Sequence, residues 1–228
     1  MHKAIVLLSL ALTVCFTMPA STLTFDFSSP SGDLGTSDHI FISGGISIPS
    51  YGFLSASPLS TGTGVNLFGK TDGAHETGLG LVNDRSGDHE IVPGSYIQLD
   101  LSALTRATSF AIQVLSVQQG EGYNLYLSNT KGVAGATYQT GLSSESAYSV
   151  PVADIQTDRF LSIGASSGNV LLGSATVATQ APEPAGMFSM GTGLLAMAFF
   201  IRSRQSARLI RMDSKRDRTL PGLTGVRR

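Results

Sequence analysis

The sequence predicts an all-β fold, an antiparallel β-sandwich of jelly-roll-like type, and two observations carry that expectation. Short runs rich in Val, Ile, Phe, Tyr and Thr recur along the middle of the 228-residue chain, at 23–27, 40–43, 65–68, 96–101, 110–117, 124–128, 160–164 and 170–177, each bounded by Gly, Ser, Asn or Asp. Within one of them Phe110, Ile112 and Val114 alternate with Ala111 and Gln113, the period-two pattern of a strand with one buried face. Few stretches there could hold a helix. Many short strands favour two sheets folded face to face, which limits exposed edges, and no period marks a solenoid or propeller.

At the N-terminus His2 and Lys3 precede thirteen mostly apolar residues, 4–16, and the small residues Ala20, Ser21 and Thr22 follow. This is the layout of a secretory signal peptide, cleaved between about Ala20 and Thr22. Thirteen residues is short for a span, which argues against an uncleaved anchor. The one cysteine, Cys15, lies inside this segment, where the branched Val14 before it disfavours a lipid-modified cysteine; the mature domain therefore has no disulfide.

The middle region is long enough for one domain with a substantial core. It carries 13 acids and 5 bases, a net of −8, whereas the tail after Ile201 carries 9 bases and 2 acids. An acidic exported domain does not bind nucleic acid through phosphate attraction. Gly120-Glu121-Gly122 reads as a hairpin turn between two strands.

The densest polar cluster is Asp72, His75, Glu76, Asn83, Asp84, Ser86, Asp88, His89 and Glu90. Carboxylates this close need something positive among them. A Ca²⁺ ion held by Asp72, Glu76, Asp84, Asp88 and Glu90 would supply it, although the spacing fails the helix-loop-helix Ca²⁺ rule because Ser95 stands where the closing Glu belongs. The alternative is a solvated loop of Asx turns with Arg85 as counter-charge. A zinc site on His75 and His89 would need carboxylates as well. Otherwise no cofactor is expected.

Gly164-Ala165-Ser166-Ser167-Gly168 matches the Gly-x-Ser-x-Gly nucleophile elbow, but the following segment is strand-like and no His lies beyond His89, so a hairpin turn is the better reading. Tyr51, Tyr123 and Tyr126 offer flat rings with a hydroxyl handle for sugar stacking. No pair of carboxylates stands out for glycoside hydrolysis, and the domain reads as non-catalytic.

The chain ends with Pro182-Glu183-Pro184, an uncharged apolar run over residues 186–201, and the basic flank Arg202, Arg204, Arg208 and Arg211. The run reaches about 24 Å as a helix, enough for a single transmembrane helix with help from Ala185 and a snorkelling Arg202. Its basic flank keeps the tail in the cytoplasm and the middle region outside. Two prolines hold an extended stem that a protease groove can accept.

These terminal residues resemble the PEP-CTERM family of bacterial exported proteins. The resemblance covers about the last fifth of the chain. It implies a sorting signal read by an exosortase-like membrane enzyme after passage through the secretion machinery, and a link to exopolysaccharide and biofilm. The stretches 31–37, 51–53, 78–81, 86–91, 96–101 and 167–172 are similar, more loosely, to the β-rich exported domain found with that tail. The expected organisation is a signal peptide at 1–21, a β-sandwich ectodomain at 22–180, a sorting signal with its transmembrane helix at 181–204 and a basic cytoplasmic tail at 205–228. The expected route runs from an inner-membrane precursor to the cell surface or extracellular matrix, where polysaccharide is the expected partner. The run past the arginine cluster to Arg228 departs from the family pattern; its cations at 204, 208, 211, 215 and 218 would line one helical face toward anionic lipid.

Overall fold

The computed structural model describes residues 21–73, 76–82 and 87–180, with 195 and 198. Residues 1–20 of the expected signal peptide, Pro182, Glu183 and Pro184, the basic flank of Arg202, Arg204, Arg208 and Arg211, His75 and Asp84 lie outside the described residues. Contacts divide the chain into two units, Met1–Ala181 and Pro182–Arg228. In the second, Leu195 and Ala198 are helical and exposed. Among the described residues no helix is long and apolar enough to cross a membrane.

Among the described residues the first unit contains fourteen strands and one short helix. In order these are β1 (Ser21–Asp26), β2 (Gly32–Asp33), β3 (Asp38–Ser43), β4 (Ile46–Leu54), β5 (Thr63–Gly64), β6 (Leu67–Thr71), β7 (Thr77–Leu81), β8 (Ser95–Asp100), β9 (Ala107–Leu115), β10 (Gly122–Ser128), β11 (Ala136–Leu142), β12 (Tyr148–Val150), α1 (Val152–Thr157), β13 (Phe160–Ser167) and β14 (Leu171–Thr179). They form two seven-stranded antiparallel sheets. The first runs β12-β9-β14-β7-β6-β2 with β1 also on β14; the second runs β11-β10-β13-β8-β4-β3 with β5 also on β4. One apolar core draws from both, with Phe25, Leu79, Phe110, Ile112 and Val177 from the first and Ile48, Ile97, Leu99, Leu125 and Ile163 from the second. Burial of these side chains on alternate strand positions holds the sheets together.

Two local expectations are corrected. Gly120-Glu121-Gly122 does not close a hairpin, because β9 belongs to the first sheet and β10 to the second; the segment carries the chain across the sandwich. The same holds for Gly164–Gly168. Its first four residues complete β13, and Gly168, at φ +65°, turns the chain toward β14 in the other sheet. A strand follows instead of a helix, so no nucleophile elbow forms.

Strands β2, β4, β5, β7, β11 and β12 lie outside the runs expected from the sequence. In β4, Pro49 and Gly52 read as turn residues. Pro49 is tolerated because it sits opposite Ile40 within the pairing with β3 but beyond the residues that pair with β8, so its missing N–H costs no ladder bond on that side.

Candidate functional site

Each sheet has an outer face partly covered by a loop, and the two coverings use different chemistry. On the first sheet, Phe68 and Lys70 of β6 point outward, and the segment from His89 to Ile91 passes over them. Gly80 permits this approach: a Cβ there would lie 1.9 Å from the His89 carbonyl oxygen. His89 stacks on Phe68 with ring centroids 4.1 Å apart. Ile91 closes the segment through a bridge to Val170.

Beneath that segment the Lys70 ammonium lies 2.6 Å from Glu90 Oε1 and 3.2 Å from Glu76 Oε2. Ser116 Oγ donates to Glu90 Oε1 at 3.2 Å, and Glu90 is 2% exposed. Burial pushes the Glu90 carboxyl above its ordinary value, and Lys70 and Ser116 pull it only part of the way back. Burial alone would lower Lys70, yet its bonds to Glu90 and Glu76 outweigh burial and raise it. His89 and Ser116, on either side of this carboxylate, both hold left-handed backbone, at φ +62° and +58°. For residues with a Cβ that conformation costs about 1–2 kcal/mol, a strain the surrounding contacts sustain.

Lys70 therefore supplies the positive charge that the acidic cluster needs at Glu76 and Glu90. Asp72 and Asp88 are exposed; Asp88 accepts a 3.5 Å bond from Asn169 Nδ2. Among the described residues no group of three or more His, Cys, Asp or Glu is arranged to hold a metal ion.

The outer face of the second sheet is covered by residues 129–135, and the fastener is neutral. Gln98 of β8 is fully buried. Its Oε1 accepts from Gly132 N at 2.8 Å, and its Nε2 donates to Val133 O at 2.9 Å and Ser162 Oγ at 3.2 Å. Tyr96 adds a hydroxyl bond to Gly132 O at 2.5 Å, and burial pushes its phenol up to about 12. Phe53, Tyr96, Tyr126 and Ala134 make a small second core under the loop, with Tyr51 packed against it. Nearby, Arg159 grips the buried Asp100 through bonds of 2.7 and 3.2 Å. Burial would raise the Asp100 carboxyl, but Arg159 and Ser102 outweigh it and hold it below the ordinary value of 3.8.

Beside the second core lies an open cleft of about 270 Å³, lined in part by Ser55, Tyr96, Asn124, Tyr126, Gly164 and Ser166. Gly164 forms its floor, paired with Asn124 on one side and Tyr96 on the other. A Cβ there would sit 3.1 Å from Ser95 O and 3.5 Å from both Tyr96 and Tyr126, so the glycine creates the space. Asn124 Nδ2 donates to the Tyr126 hydroxyl at 3.1 Å while its Oδ1 accepts from Gly141 N at 3.0 Å. This orients the phenol and leaves its own proton for a ligand. Among the described residues no charged side chain lines the cleft.

The structure does not bring the three sequence-selected tyrosines together. Tyr123 is 1% exposed in the main core, so its ring has no face for a sugar. Tyr51 shares the outer face with Tyr126, but the Lys131 ammonium sits 3.6 Å from its ring centroid, where a sugar would stack. Tyr126 alone reaches the cleft. As candidate site residues Gly164 and Ser166 stand out in the sequence only through the nucleophile-elbow match, and Asn124 not at all, because their proximity depends on the β10–β13–β8 register.

Comparison with known proteins returned no family model, no curated protein and no solved structure that matches the chain.

Proposed function

We propose that the chain is an exported, non-catalytic surface or matrix protein whose jelly-roll-like sandwich holds a neutral sugar unit of an extracellular polysaccharide in the Gly164 cleft. The observation that carries the reading is the cleft itself: a glycine-floored hollow of about 270 Å³, open to solvent, uncharged among the described residues, with an oriented tyrosine hydroxyl and the size of one sugar ring. Hydroxyls of neutral sugars are matched by hydroxyl, amide and backbone groups, with a ring wall for the apolar face. A non-catalytic role is supported by the close carboxylates Glu76 and Glu90, which hold Lys70 between them in place of a substrate. Export and exosortase-type sorting rest on the terminal sequence signals.

The secreted wild-type protein should be retained on an immobilised panel of neutral polysaccharides, and Gly164→Ala and Tyr126→Ala should each lose most of that retention. No retention across the panel would overturn the binding role and favour a purely structural one. Deleting Pro182 to Pro184 should leave the precursor in the membrane; unchanged maturation would sink the sorting assignment.

A further inference from the structure

The two sheets end in edges of different kinds. In the first, β12 has three residues and β2 has two; β1, which pairs only with β14, exposes Thr22 and Thr24. In the second, β11 meets β10 with two register shifts. Short, polar or irregular edges discourage pairing with other chains. β3 has none of these features: six residues pair with β4 in unbroken register, with no Pro or Lys among them. It also exposes two large apolar side chains on one face, Ile40 at 56% and Ile42 at 72%.

The backbone groups on this edge follow from the turn. Gly44 and Gly45, at φ +55° and +79°, make a two-residue turn, so Ser43 and Ile46 form a hydrogen-bonded pair and the pairs alternate from there. Phe41 and His39 bond to β4, whereas Ile42, Ile40 and Asp38 turn their N–H and C=O away from it. Pro49 agrees, since it lacks an N–H and lies opposite Ile40. The Asp38 N–H is taken by Thr36 Oγ1 at 3.3 Å. The outward backbone groups of Ile40 and Ile42 thus coincide with the exposed isoleucines.

We propose that β3 pairs antiparallel with β3 of a second copy of this chain, about a two-fold axis through Phe41. Ile40 of each copy then lies opposite Ile42 of the other in a hydrogen-bonded pair, and the four isoleucines form one ladder on the outer face. The edge is complementary to itself, since the outward backbone groups and the exposed isoleucines at 40 and 42 lie symmetrically about Phe41. In this register Asp38 of each copy falls opposite Gly44 of the other, which keeps the carboxylates of the two edges apart. A pairing centred on Asp38 would put the two carboxylates face to face.

Sedimentation velocity of the full chain in detergent micelles over a range of concentrations tests the pairing. Wild type is expected to dimerise reversibly, and I40K/I42K, which places Lys opposite Lys, is expected to weaken the dimer by at least about tenfold. I40E/I42K places Glu opposite Lys in this register and is expected to retain the dimer. Thermal melts by circular dichroism establish that both variants fold. A monomeric wild type, or self-association that I40K/I42K leaves unchanged, overturns the proposal. Loss of the dimer in I40E/I42K together with I40K/I42K overturns the register on which it stands.

Discussion

Replacing Lys70 by Met should destabilise the fold by about 3 kcal/mol at about pH 7, because it strands the Glu90 carboxylate where water cannot reach it. Glu90 is 2% exposed, and without the ammonium at 2.6 Å its remaining partner at that oxygen is the Ser116 hydroxyl. Three kilocalories is a large fraction of a typical domain stability of about 5–15 kcal/mol. The effect has a defined pH dependence. The Glu90 carboxyl is already raised by burial with Lys70 present, and losing Lys70 raises it further. A carboxyl raised above its unfolded value adds stability that is present below that value and lost as pH rises through the folded one. Lys70→Met should therefore lie close to wild type at about pH 4 and fall away from it toward neutrality. The raised carboxyl also indicates that Lys70 does not fully offset desolvation, so Lys70→Met/Glu90→Leu should recover to within about 1 kcal/mol of wild type. Urea unfolding followed by far-ultraviolet circular dichroism at the two pH values measures all three chains. A single-variant loss below about 1 kcal/mol at neutral pH, or a double variant no better than the single, would refute the reasoning.

The second sheet responds to acid in the opposite sense. Asp100 is held below 3.8, so its contribution is present above that value and lost as pH falls through the lowered one; Arg159→Met should move the acid-unfolding midpoint to higher pH, and an unchanged midpoint would deny Arg159 this role. Gln98→Leu should cost about 2–3 kcal/mol in urea unfolding, because it leaves the Gly132 N–H and the Val133 carbonyl without their side-chain partner; a neutral effect would mean the 129–135 loop is held otherwise. Gly80→Ala should cost about 1–3 kcal/mol, since the backbone oxygen 1.9 Å from the new Cβ is no flexible side chain; a wild-type melting temperature would show that the His89 segment can lift. Retention of a neutral glycan should change little between about 0.05 and 0.5 M salt, a range that shrinks the screening length severalfold; a steep loss with salt would point to a charged contact outside the cleft.

Much of the architecture was legible because period-two burial leaves a clear trace in the sequence. Phe110, Ile112 and Val114 all face the core, as their alternation requires. The same rule misleads at β8. There Gln98 and Asp100 alternate with Ile97 and Leu99, which reads as a solvent face, yet every residue from Ser95 to Asp100 is buried. The loop that covers this face comes from residues 129–135, more than thirty positions away, and its attachment is a property of the tertiary fold. Glu90 is a similar case. The sequence placed it in a repelling acidic cluster, and only the β6–β7 pairing and the crossing of the 89–91 segment bring Lys70 beneath it. The cleft was less legible still, since its defining residue is a glycine whose contribution is the absence of a side chain.

The edge and the cleft have a geometric connection that neither shows alone. Both belong to the second sheet, and the isoleucines of β3 lie on the same outer face as Tyr126 and Gly164, because the residues paired across β3, β4, β8, β13 and β10 share a face. A two-fold axis perpendicular to a sheet preserves its faces. If β3 pairs with its copy in the register proposed, both clefts open on the same side of one continuous sheet. A polysaccharide repeats its units along the chain, so a second cleft on the same side meets a ligand that is already tethered by the first. Linked sites of this kind gain affinity through effective concentration without any new contact. A shallow, uncharged cleft that holds one sugar weakly then suffices for a protein whose ligand is a polymer.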